Sequence, residues 1–161
     1  MDTGPVFVRE TMEIAERETA GTLHDRLMAA SARVAVKTLA ELTTTTPTPQ
    51  PVEGITWAPK IEKADGEVSL TDDAMTIDRR IRAMSPWPGG WTRLEGGVLK
   101  LRGVRPVAGE GAVGQVLSMS PLIVACGSGA LELVTVQAAG RKAVSGVDYA
   151  NGARLSVGET L

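Results

Sequence analysis

Aromatic and reactive side chains are scarce in this sequence. Three Trp, one Tyr and one Phe are spread over 161 residues, so a core has to be built from Val, Leu, Ile, Ala and Met. The single cysteine, Cys126, excludes an internal disulfide and any multi-cysteine zinc site. With His24 as the single histidine there is no HExxH pair or His-rich cluster, and no metal is expected. The lone thiol fits a reducing compartment. No run reaches the roughly 18–20 apolar residues of a membrane span. The opening Met1-Asp2-Thr3-Gly4-Pro5 has neither a basic segment nor the apolar stretch of a secretory signal. A cytoplasmic protein without membrane contact is the expectation. Excess charge is missing too. A net charge of −2 excludes a strongly basic nucleic-acid binder by bulk charge but leaves room for a local basic face; DNA is not expected as a partner.

The remaining composition, 43% hydrophobic and 22% charged, is that of a globular chain. Residues 1–45 read as one strand and one helix. Pro5-Val6-Phe7-Val8 opens a short apolar run with a ragged continuation to Met12 and Ile14. Thr19 or Thr22 caps a helix over about 20–42, with Leu23, Leu27, Ala30 and Val34 at helical spacing. One strand and one helix cannot close a core, so this unit is incomplete or packs on something else. From Thr43 the chain turns β-branched and proline-rich, and residues 46–59 form a semi-rigid Thr/Pro linker.

Residues 60–161 carry a different pattern. Asp72-Asp73 precede Ala74, Ile77, Ile81 and Met84, the signature of a short amphipathic helix with acid at its positive end. Pro86-Trp87-Pro88-Gly89-Gly90 stops it, as a rigid turn more than a stacking platform. A hairpin follows, Trp91–Leu94 and Val98–Val104 around Glu95-Gly96-Gly97, then strands at 114–118, 122–126 and 130–137 and a helix at 145–150. Short strands with glycine turns suggest a closed or partly closed barrel, OB-like or alternatively SH3-like.

The charges divide unevenly. Residues 1–45 hold five Lys/Arg against seven Asp/Glu; residues 61–161 hold eleven of each, but clustered. Arg79, Arg80 and Arg82 sit together and cannot all share one helix face. Arg93, Lys100, Arg102 and Arg105 run along the hairpin, and Arg141-Lys142 form a pair. Of these, Arg93, Lys100, Arg102, Arg141 and Lys142 are candidates to line a barrel face that tracks a nucleic-acid backbone, with Arg102, Arg141 and Lys142 taken as tRNA-binding candidates. His24 reads as a surface helix residue. Cys126, ending an apolar strand, reads as a buried, inert thiol. Asp2-Thr3-Gly4 also occurs in aspartic proteases, but these need a second copy to share a proton, and none exists here.

Five segments in one order carry a stronger signal. Asp2-Thr3-Gly4-Pro5-Val6, Glu18-Thr19-Ala20-Gly21-Thr22-Leu23-His24-Asp25-Arg26-Leu27, Trp57-Ala58-Pro59-Lys60-Ile61-Glu62-Lys63, Ile81-Arg82-Ala83-Met84-Ser85-Pro86-Trp87-Pro88-Gly89 and Gln137-Ala138-Ala139-Gly140-Arg141-Lys142 together resemble the C-terminal half of the bacterial methionyl-tRNA formyltransferase family. The resemblance covers essentially the whole chain. It implies that residues 1–45 are the terminal strand–helix piece of a Rossmann-like formyltransferase domain and that 60–161 are an OB-fold-like tRNA-binding domain.

It further implies initiator methionyl-tRNA as partner, 10-formyltetrahydrofolate as cosubstrate of a complete enzyme, Asp2 as the counterpart of a catalytic carboxylate, and Lys60 and Lys63 as phosphate contacts. The family's upstream Asn and His and its Ser-Leu-Leu-Pro folate segment have no counterpart in these residues. The fragment is therefore expected to bind no cofactor and to lack activity alone, its catalytic domain being missing. A free-standing RNA-binding module, or a non-functional truncated product, is the alternative.

Overall fold

The structure, a computed structural model, describes residues 3–161, which divide into two compact units meeting after Lys60. Each is built on its own local logic.

In the first unit, helix α1 spans Ala20–Glu41. Thr19 caps it: its hydroxyl accepts the Thr22 N–H at 3.2 Å, while the Thr22 hydroxyl accepts the Thr19 N–H at 3.0 Å. Two ion pairs tie the irregular chain before the helix to its flank, Arg26 with Glu18 at 2.6 Å and Arg33 with Glu10 at 2.8 Å. Only Ala30 of the helix is buried.

The strand expected over residues 5–8 does not form. Val6 makes a single antiparallel bridge to Thr48, with hydrogen bonds of 2.8 and 2.9 Å. Thr48 lies in the Pro47-Thr48-Pro49 stretch, and the pairing stops at this one bridge. A Rossmann-like sheet is therefore not seen among the described residues. The Thr/Pro stretch is itself anchored, since the Gln50 amide also donates to the Gly4 carbonyl at 2.7 Å.

The second unit, Ile61–Leu161, opens with a 3-10 turn at Lys63–Gly66 and helix α2 at Ala74–Ala83. The Asp73 carboxylate caps α2 by accepting the N–H groups of Met75 and Thr76. Six antiparallel strands follow: β1 Gly90–Leu94, β2 Gly97–Val107, β3 Val116–Met119, β4 Leu122–Ala125, β5 Ala130–Ala138 and β6 Val144–Ser145. Helix α3, Gly146–Ala153, comes last, capped by the Ser145 hydroxyl. Along the sheet the order is β1-β2-β5-β4-β3. β2 pairs with the whole of β5. On the other edge of β5, β4 occupies the first half and β6 the second.

The barrel expectation is corrected here, because the sheet is open. β1 and β3 are its two ends, and each is met by an irregular segment instead of by the other. Val68 donates to the Trp91 carbonyl of β1 at 2.9 Å; Val116 of β3 donates to Glu159 and accepts from Gly158, both at 2.8 Å. With those groups taken, no ladder remains to close the sheet.

The core is aliphatic, as the composition requires. Ile77 and Ile81 of α2 pack with Leu99, Leu101 and Val104 of β2, Val116, Leu122 and Val124 of β3 and β4, and Leu131, Leu133 and Val136 of β5. Gly90, entering β1, has no room for a side chain: a Cβ there would stand 2.6 Å from the Ile81 Cγ1 atom. Asp78 is also completely buried and pairs with Arg82 one turn on, at 2.9 Å.

Cys126 is buried as expected, with its thiol pushed up to about 11 by loss of water and, second, by the Asp73 charge. At pH 8 the thiolate fraction is then about a hundredfold below that of an unperturbed cysteine. Alkylation by iodoacetamide is expected to be slower by at least that factor in the native protein than in urea; equal rates would refute burial. Between pH 9 and 11 the unfolded chain's thiol ionises first, so this group lowers stability as pH rises across that window.

Candidate functional site

The alternation of β2 decides which cations face water. Leu99, Leu101 and Val104 point into the core, whereas Lys100, Arg102 and Arg105 are exposed. Lys100 lies opposite Trp91 on β1 and opposite Gln137 on β5. Arg102 donates from Nε and Nη2 to the Gln137 Oε1 atom, at 3.2 and 2.8 Å. The same carboxamide donates from Nε2 to the Arg141 carbonyl at 2.9 Å. Gln137 thus joins two of the predicted residues, Arg102 on β2 and Arg141 in the turn after β5.

Arg141 closes a turn through its N–H to the Ala138 carbonyl at 3.1 Å. Gly140 occupies the left-handed position there, at φ +69°, which glycine adopts without a Cβ clash. Lys142 follows in the same exposed turn.

Other arginines of the hairpin are compensated. Arg93 pairs with Glu67 at 2.7 Å and lies 5.2 Å from the Trp91 ring centre. Arg105 stands 3.5 Å from Glu132. Among the described residues, the side chains of Lys100, Arg141 and Lys142 make no ion pair. The cluster on α2 splits as well. Arg82 serves Asp78, Arg80 donates from Nε to the Asp65 carbonyl at 3.2 Å, and Arg79 is exposed.

Lys63 is exposed, and its carbonyl accepts the Trp91 indole N–H at 3.2 Å, which fixes the backbone that carries it. Trp91 therefore has a structural bond, while Trp87 is 56% exposed. Lys60 is exposed at the end of the first unit, so the two lysines belong to different units. Asp2 lies outside the described residues. His24 is a surface residue 3.4 Å from Asp25. Gln137, which sequence reading left without a role, is the residue that organises this face. Its signal was faint: one amide at an outward position beside the buried Val136.

Known proteins give this arrangement a family. The model of the formyl transferase C-terminal domain matches residues 60–154. The methionyl-tRNA formyltransferase of Jannaschia sp. is 45% identical over 161 residues, covering 100% of this chain and 53% of that protein. Those of Dinoroseobacter shibae and Ruegeria pomeroyi are 46% and 47% identical, over 96% and 89% of this chain and 51% and 47% of theirs. The chain spans about half the length of the relatives it matches. Among solved structures, HypX from Aquifex aeolicus in complex with tetrahydrofolic acid is similar in fold, with a TM-score of 0.72 at 19% identity, covering 97% of this chain and 29% of that one. A sheet and helix arrangement shared with a solved relative, a domain match over most of the second unit and the identities along the whole chain agree: this chain belongs to the formyl transferase C-terminal domain family and corresponds to the C-terminal half of methionyl-tRNA formyltransferases.

Proposed function

We propose that this chain is the tRNA-holding half of an enzyme that moves a formyl group from 10-formyltetrahydrofolate to the amino group of methionine on initiator tRNA. The 161 residues supply the basic face and, in Asp2, one carboxylate of the catalytic set; the folate site belongs to the other half. The observation that carries this reading is the Arg102–Gln137–Arg141 chain of hydrogen bonds. It holds a guanidinium in place on an exposed strand next to the uncompensated Lys100, Arg141 and Lys142. Phosphates require cations at modest geometric precision, and ordering the guanidinium beforehand reduces the entropy cost of using it. The face presents no base-reading pair, so it positions RNA without choosing between sequences.

Binding of tRNA is expected to be weak, salt-sensitive and nearly equal for initiator and elongator tRNA. Titrations at several salt concentrations test this. Lys60→Ala with Lys63→Ala, and separately Arg102→Ala, should lower affinity and flatten the salt slope by about one for each cation that contacts a phosphate. Tight binding that ignores salt, or a strong initiator preference, would overturn the proposal.

A further inference from the structure

A cavity of about 450 Å³ in the second unit opens under the β1–β2 turn and is lined by Leu94, Glu95, Leu99, Arg141, Tyr149 and Leu155 among others. Its volume lies within the roughly 300–1,000 Å³ of small-molecule sites. Leu94, Leu155 and Tyr149 each pack on the core, so they form a fixed apolar lining instead of loose surface chains. Three residues with polar side chains, Glu95, Arg141 and Tyr149, share that lining. None of the three makes a side-chain hydrogen bond or ion pair to another described residue.

We infer that this cavity binds one nucleotide, with the base against Leu94, Leu155 and Tyr149, its exocyclic amine donating to Glu95 and its phosphate on Arg141. The charge order supports this occupant. One acceptor-only carboxylate and one cation stand around an apolar lining, which matches a flat amine-bearing ring joined to a phosphate. The Arg141 carbonyl also ends the Gln137 chain, so the cavity and the basic face share this residue. This link to RNA rests on the proposed function, whereas the cavity chemistry does not. An unstacked residue of bound RNA and a free mononucleotide present the same groups.

The probes are AMP, IMP, CMP and UMP, titrated into the whole nitrogen-labelled chain and followed by amide NMR shifts. AMP should bind about tenfold more tightly than IMP, and CMP than UMP, because only the first of each pair carries the amine. Glu95→Ala, on an exposed turn, should erase both differences; Arg141→Ala should weaken all four ligands together. Equal binding of AMP and IMP, no shifts at millimolar nucleotide, or indifference to both substitutions would overturn the inference. Displacement of AMP by tRNA assigns the site to an RNA residue. Retention of AMP beside saturating tRNA assigns it to free nucleotide. If tRNA fails to bind while AMP binds with the stated preference, the tRNA-holding reading falls and the nucleotide site stands. If tRNA binds and AMP does not, the reverse holds.

Discussion

Given charged initiator tRNA and 10-formyltetrahydrofolate, a preparation of these 161 residues is expected to produce no formylmethionine above background. In formyl transfer the amine attacks the formyl carbon, and negative charge collects on its oxygen. Donors must already be in place at that oxygen, and removing a single donor from such a site typically costs about 10²–10³ in rate. By the family resemblance those donors are an Asn and a His, and neither has a counterpart in this sequence. A carboxylate such as Asp2 contributes by orienting the imidazole and assisting proton movement. Without that imidazole it has no partner to act through. Without these donors and the folate segment the rate is expected to fall below detection. Folate-dependent formylmethionine from this chain by itself would show that the reaction does not need those donors and would overturn the expectation.

Arg82→Ala is expected to destabilise the Ile61–Leu161 unit by about 3–5 kcal/mol, the usual cost of stranding one member of a buried ion pair. The Asp78 side chain is 1% exposed and that of Arg82 18%, at 2.9 Å. Removing the guanidinium takes a charged partner from a buried carboxylate on the helix that carries Ile77 and Ile81. Urea unfolding measures the loss directly. The double replacement Asp78→Leu with Arg82→Met should recover most of it, since neither charge is then stranded. A loss below about 1 kcal/mol for the single variant would refute the assignment. Arg82 is one of three arginines clustered in the sequence. Its structural use predicts that, in the protein that remains folded, the salt slope for tRNA does not change.

The difference between Arg82 and Arg102 shows where sequence stops being informative. Both are arginines in basic stretches, and both sit in or beside segments with regular periodicity. Only the packing of α2 on the sheet makes one of them the partner of a buried acid. Only the β2–β5 register places Gln137 beside the other. Single residues 35 positions apart carry no local signal of such a pairing.

Local physics settled much of the rest from sequence. The capping threonine before α1, the aspartate cap and the 3- and 4-residue spacing of α2, the glycine turn after β1 and the alternation in β2 are short-range effects. The elements they predict are found within a few residues of their expected bounds. The burial of Cys126 and the aliphatic core follow from composition in the same way.

Long-range pairing was decided in the folded molecule. A run of β-residues at Val6 becomes a strand only if a partner pairs along its length, and here the pairing is a single bridge to Thr48. Short strands become a barrel only if the two end strands have free edges to share. Here Val68, Gly158 and Glu159 take those edges first. Periodicity fixes which face of a strand is apolar. The hydrogen-bond groups left over at its edge belong to whichever segment reaches them, and that is a property of the whole fold.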